Sequence, residues 1–414
     1  MLAWMNSQKE ETLGFGPSPL RLHHVIVSTT ISKNPMIVLF LCGLTVVKGE
    51  LQVQYEWNVV NFQTPAGFPV NPDYDGTSTP IFGMEKSGDG RVFVSTPRIW
   101  PGNPATLSVV SDQRDSNGSL LLQAYPDWSW HKSAAKGKED DCKGLISVYG
   151  MRLDQCQNLW VLDSSIFNLQ NYKVVCPPKI LIFDTRTNDL VKKILLPRNL
   201  MGHKSLFTNI VLHTVGTNCL RTTAAFLSDT YSPAIVTYNT QVSRFTRSTH
   251  PSMNLNPNAE SFSILGETFR LSDCVLGMAV DSNRKELYFQ PLSSFFIFKV
   301  KVNDLLKGKD GHRLGVTRVA NKSSQSAGLD FGPVESGKEV LVYSEISENN
   351  IVFLDPTTSE KRVVAVSAEK LQFVSDIKIK NGELLLASIR LQKFILSSIN
   401  SSDTNLRIMK FVSS

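Results

Sequence analysis

Short apolar runs flanked by turn-forming residues recur six times along the chain: Arg91–Thr96, Asn158–Asp163, Ala224–Asp229, Lys285–Gln290, Glu339–Ser344 and Glu383–Ser388. With Val94, Val161, Leu227, Tyr288, Val342 and Leu386 as markers, the interval shrinks from 67 residues to 44. Several copies are followed by a second run that ends near a turn: Ile180–Asp184, Ile235–Asn239, Phe296–Lys299 and Ile351–Asp355. These runs favour Val, Ile, Phe, Tyr and Trp, which suit a pleated surface. Periods of roughly 40 to 60 residues, each holding several short strands, belong to β-propellers, because one blade cannot cover its own apolar faces. The pattern predicts an all-β fold, a six-bladed β-propeller. A strand near Tyr55–Val59 is expected to complete the last sheet, since an open edge leaves backbone groups unpaired.

A doubly wound α/β fold would need amphipathic helices between the strands. The connections are instead rich in Pro, Gly, Ser and Asn, as in Gly67–Pro72 and Asn254–Pro257. Only Asp304–Lys307 and Ser367–Leu371 hint at a helical turn. The 414 residues could hold two or three domains, but the uninterrupted repeat argues for one, over residues 50–414. The apolar run Met36–Val47 is too short to span a bilayer, and it has Lys33 upstream and Lys48-Gly49 after it. That layout is read as a signal peptide over residues 36–49, cleaved near Gly49. Met36 is then the working start, and residues 1–35 an extension outside the native protein.

The formal net charge is +6, and removing residues 1–49 takes away four basic and two acidic side chains to leave +4. So weak and scattered a balance speaks for solubility and against nucleic acid. Cys142, Cys156, Cys176, Cys219 and Cys274 remain after cleavage. In an exported chain such cysteines are expected in disulfides, and the odd count leaves at least one thiol free. No CxxC pair occurs and the histidines are scattered, so no zinc site is expected. Sequons stand at Asn117, Asn321 and Asn400. With the signal, they predict a secreted, extracellular glycoprotein.

The stretch Cys142–Asp163, continued by Cys176–Asp184, resembles the Yellow and major royal jelly protein family of insects. The likeness returns in Ala225–Asp229, Leu276–Val280 and Leu287–Ser294, and in Phe82–Ser108 and Asn405–Met409. It covers most of residues 55–414 and implies a secreted six-bladed propeller. It also implies the pairs Cys156–Cys219 and Cys142–Cys176, with Cys274 left as the free thiol. Many members carry Cys-Trp-Asn in the fifth blade, bridged to a cysteine near the C terminus. Here those positions are Val342, Tyr343 and Ser344, and no cysteine follows Cys274.

Asp163 and Asp229 end equivalent strands, where other propellers hold calcium, but the equivalent copies end in Thr96, Gln290, Ser344 and Ser388. Two charges are few for a hard cation, so both aspartates are read as turn formers, and neither a metal nor another cofactor is expected. No Gly-x-Ser-x-Gly elbow or His-Glu-x-x-His occurs. Asp127–His131 is read as a solvated loop with a tryptophan anchor. In the salivary branch of the family an amine is held by a Thr, an Asn and a Phe of the last blade. The matching positions are Ser375, Ile389 and Leu391. Together with Tyr343 and Ser344 they form the candidate ligand set. The lost amide and ring predict that high-affinity amine binding is gone.

Two classes of function follow from the resemblance. The first is a secreted, non-enzymatic protein with an extracellular structural or developmental role in cuticle, eggshell or a secretion, related to pigmentation. The second is a dopachrome-converting isomerase of melanin synthesis, or a binder of a small ligand such as a biogenic amine in the channel. The first is preferred, because no acid–base pair can be named. The partners expected are a small aromatic molecule or extracellular matrix proteins, with no nucleic acid and no membrane span.

Overall fold

The computed structural model describes residues 49–68, 74–116, 118–131, 142–334 and 337–413. The expected extension over 1–35, almost all of the expected signal over 36–49, and the sequon residue Asn117 lie outside the described residues. Six four-stranded antiparallel sheets form the body. From the axis outward, the first blade consists of Gly83–Lys86, Val92–Ser95, Leu107–Arg114 and Leu120–Ala124. The second has Val148–Leu153, Asn158–Asp163, Lys179–Asp184 and Leu190–Leu195, and the third Phe207–Thr214, Thr223–Asp229, Ala234–Asn239 and Arg244–Ser248. The fourth has Val275–Val280, Glu286–Pro291, Phe296–Lys301 and Val316–Asn321, and the fifth Leu329–Val334, Lys338–Glu345, Asn350–Leu354 and Lys361–Val366. The sixth joins Phe373–Lys380, Glu383–Ile389 and Leu406–Val412 to the N-terminal strand Glu50–Trp57. The fold is the predicted six-bladed β-propeller.

Each repeated run is the second strand of its blade. Asn158–Asp163 and Thr223–Asp229 are buried along their whole length, because neighbouring blades cover both faces. That explains continuous apolar runs where a half-exposed strand would alternate. The ring closes where Glu50–Trp57 pairs antiparallel with Leu406–Val412, a few residues earlier than the strand expected at Tyr55–Val59. Two helical turns form, α1 (Val302–Leu306) and α2 (Leu391–Ile395). The hint at Asp304–Lys307 falls on α1. Ser367–Leu371 stops at a single turn closed by Leu371 N–H to the Ser367 carbonyl, because the chain then enters the innermost strand of the sixth blade.

Disulfides join Cys142 to Cys176 and Cys156 to Cys219, and Cys274 is a buried free thiol. The second pair ties the first turn of the second blade to the first turn of the third. Asp163 and Asp229 clasp their blades. Asp163 accepts the N–H groups of Ile146, Ser147 and Ser165 and pairs with Lys179 at 3.0 Å. Asp229 accepts from Leu206 N–H, Ser205 and Arg247.

Candidate functional site

The innermost strands pack side by side around the axis and carry a repeated irregularity. In the second, third, fourth and sixth blades the pairing register slips by one residue at Tyr149, Thr208, Leu276 and Ser375. A bulge leaves its extra residue unpaired and re-aims its side chain. All four of these residues line one cavity in the channel. The next positions are small or hydrogen-bonded, so the strands can approach. A Cβ on Gly150 would lie 2.9 Å from the Thr208 carbonyl oxygen, and one on Gly277 would lie 2.6 Å from that of Ala327. At the corresponding place in the third blade, Asn209 donates to the Leu276 carbonyl at 3.1 Å.

The cavity encloses about 1110 Å³, counting the part open to solvent. Phe82, Trp100, Tyr149, Tyr231 and Phe373 give it an aromatic wall, with Leu391 and Ile395 of α2 alongside. Near α2, the hairpin of Ser261–Ile264 and Glu267–Arg270 is fastened by an ion pair of 2.6 Å between Lys393 and Glu267.

A few residues further along the innermost strands, charged groups fill the axis. Arg152 of the second blade reaches across to Asp330 of the fifth at 3.0 Å and lies 3.7 Å from Glu85 of the first. Asp376 accepts from Met84 N–H and pairs with Lys378, each at 2.9 Å. Burial pushes the Glu85 carboxyl up, against the pull of Arg152, Lys378 and Lys380. This network spans the channel from the second blade to the fifth, and its members Asp376 and Lys378 line the cavity, which has the form of a cup at the axis.

One corner of the cup is polar and incomplete. Asp273, two residues before the innermost strand of the fourth blade, lines it, as do Tyr149 and Tyr231. Asp273 Oδ1 and the Tyr149 hydroxyl are sealed from bulk water and have no hydrogen-bond partner. Burial pushes the Asp273 carboxyl up to about 7. Burial raises the Tyr149 hydroxyl above its usual range, and the nearby Asp273 charge adds to that. Tyr231 is raised for the same two reasons. Buried polar groups are nearly always satisfied in native proteins, so two orphans facing one cavity set this corner apart from the rest of the lining.

Of the sequence candidates, Ser375 and Leu391 line the cup. Ser375 donates to the Ile81 carbonyl at 3.2 Å. Ile389 is packed in the core beside them, whereas Tyr343 and Ser344 are buried in the second strand of the fifth blade, outside the lining. Asn321 and Asn400 are exposed. Asp154, Cys156 and Cys219 come together at the spacing of a metal cluster, but the two sulfurs are bonded to each other. Asp154 already accepts from Cys156 N–H, Asn158 and Trp160. In the Asp127–His131 segment, His131 is fully buried and hydrogen-bonded to Tyr125 and Thr106. Asp273, Tyr149 and Tyr231 went unnoticed in the sequence. The one signal for Asp273 in the sequence is an acidic residue next to Cys274, just ahead of the apolar run Val275–Val280.

A six-bladed propeller with an aromatic, acid-cornered cup at its axis defines the class of protein. The sequence model described as major royal jelly protein matches residues 146–412, and the chain belongs to that family. Major royal jelly protein 7 of Apis mellifera is 26% identical over 396 residues, covering 88% of this chain and 85% of that protein. Dopaminechrome tautomerase of Drosophila melanogaster is 26% identical over 388 residues, covering 88% and 82%. Among solved structures, virginiamycin B lyase from Staphylococcus aureus aligns over 82% of each chain with 13% identity and a TM-score of 0.44, and no argument rests on it.

Proposed function

We propose that this chain is a secreted propeller that takes a small, flat, aromatic molecule into the cup at its axis. The observation that carries the reading is the pairing of an aromatic wall with two buried polar atoms that lack partners. A purely structural role in cuticle or eggshell leaves both features without a purpose. The two disulfides fit an oxidising, extracellular setting and support secretion. The matched positions Ile389 and Leu391 remain apolar and offer no bond to an amine. Unpartnered polar atoms of this cup stand instead at Asp273 and Tyr149, with Tyr231 beside them.

A second reading is favoured by the same corner. A carboxyl poised near neutrality beside a hydroxyl donor suits proton transfer, and the Drosophila relative is named a tautomerase of dopaminechrome. Isomerisation of an aminochrome is therefore the enzymatic form of the proposal. Calorimetric titration of the secreted chain with dopamine, serotonin, octopamine and dopaminechrome tests the binding reading. Micromolar or tighter binding of one of them is expected. Absence of heat with all four, in protein shown to be folded, overturns it.

A further inference from the structure

The geometry points to Asp273 as the proton-transferring group of the cup and to Tyr149 as the donor that steadies the oxygen of its ligand. This inference rests on the proposed binding of a flat aromatic molecule and names the residues that would act on it. Three observations converge. Asp273 Oδ1 and the Tyr149 hydroxyl are the two buried atoms of the lining without partners, one best suited to accept and the other to donate. They come from different blades, Tyr149 at the bulge in the second and Asp273 at the entry to the fourth, so they flank the space between them. The step after Tyr149 along the strand is Gly150, whose missing side chain lets the third blade approach and holds the bulge in place.

A ligand that completes this corner must offer a proton to the carboxyl and an oxygen to the hydroxyl. An aminochrome ring carries both, as a C–H bond next to a conjugated carbonyl system. The step is an isomerisation. The Asp273 carboxylate takes the carbon-bound proton, and the C–H electron pair moves into the ring as the carbonyl π pair moves onto oxygen. Tyr149 holds that oxyanion by a hydrogen bond, and the Asp273 carboxyl delivers the proton to it. Atoms and electrons balance, and no oxidant or reductant is needed.

Among the described residues, the titratable groups facing Asp273 are Tyr149 of the second blade and Tyr231 of the third, with Cys274 next in its own segment. Burial raises all three, Cys274 to about 11, so they stay protonated near pH 7. Asp376 and Lys378 line the same cavity but neutralise each other. Among the described residues of the lining, Asp273 is then the one left to change charge in the neutral range.

The test measures conversion of dopaminechrome by absorbance from pH 5 to 9, with calorimetric binding of the same probe, for the wild type, Asp273→Asn and Tyr149→Phe. Turnover by the wild type should rise as pH passes through about 7 and then level off. Asp273→Asn should still bind while losing about 100-fold or more of the rate together with the pH dependence. Tyr149→Phe should lose about tenfold, the equivalent of one hydrogen bond to a charged oxygen, and keep the pH profile. An Asp273→Asn variant with the wild-type rate and profile overturns the inference. So does a wild-type rate that is flat across neutral pH, a result that needs no variant to fold. Binding without any turnover overturns the catalytic role but leaves the ligand cup standing. Failure to bind removes both.

Discussion

Asp163, fully buried, and Asp273, partly buried with Oδ1 sealed from water, show how much the same side chain depends on its surroundings. Burial alone would push the Asp163 carboxyl up, but Lys179 and the backbone N–H groups of Ser147, Ile146 and Ser165 outweigh it and hold it below the usual range. Asp273 has no such partners, and burial moves it from 3.8 to about 7. Between those two values the folded chain binds a proton that the unfolded chain releases, so this group makes stability fall as pH rises through that window. The Asp163 contribution has the opposite sign, being present above the unfolded pKa and lost as pH falls through the lower folded one. Replacing Asp273 by Asn should therefore raise the Tm by a few degrees at pH 8 and change it little at pH 4, as thermal melts followed by circular dichroism would show. A carboxyl left without partners in this way weakens the fold, as functional sites commonly do. The sequence offered little at this scale. Ser375 and Leu391 were found through resemblance, whereas Asp273 and Tyr149 lie 124 positions apart in the chain and carry no motif.

The strands themselves were legible because a strand covered on both faces must be apolar throughout, and six such runs stand in the chain. Their bulges were not. A one-residue slip at Tyr149, Thr208, Leu276 or Ser375 changes no composition and leaves no break in the hydrophobic pattern, yet it turns those four side chains toward the axis. Gly150 is the place to test this. Its φ is not unusual, and the demand on it is space, since an added Cβ would meet backbone, which cannot rotate away. Gly150→Ala should cost about 1–3 kcal/mol of overpacking and weaken ligand binding by shifting Tyr149. Chemical denaturation and titration of the same sample would check both. Helix α2 was missed for a related reason: Leu391–Ile395 is a single turn of five residues, too short for a helical period to stand out in the sequence.

Across the whole molecule, closure depends on the N-terminal strand. Trp57 ends that strand in the sixth blade, is 1% exposed, and donates its indole N–H to the Leu120 carbonyl of the first blade at 2.7 Å. It thus locks the seam where the ring meets itself, and no disulfide crosses that seam among the described residues. Trp57→Ala should cost about 3–5 kcal/mol, read as a lower guanidinium midpoint, and should open the seam to hydrogen exchange before the other blades. The repeat of apolar runs, their number and the turn-rich connections were enough by themselves to determine six blades and one closed ring. They report local burial, which is written in each segment's own side chains. The cup was decided only by the tertiary structure. Its polar corner joins residues from different blades, its wall depends on register slips that composition does not record, and its floor is one arginine crossing the channel to an aspartate three blades away.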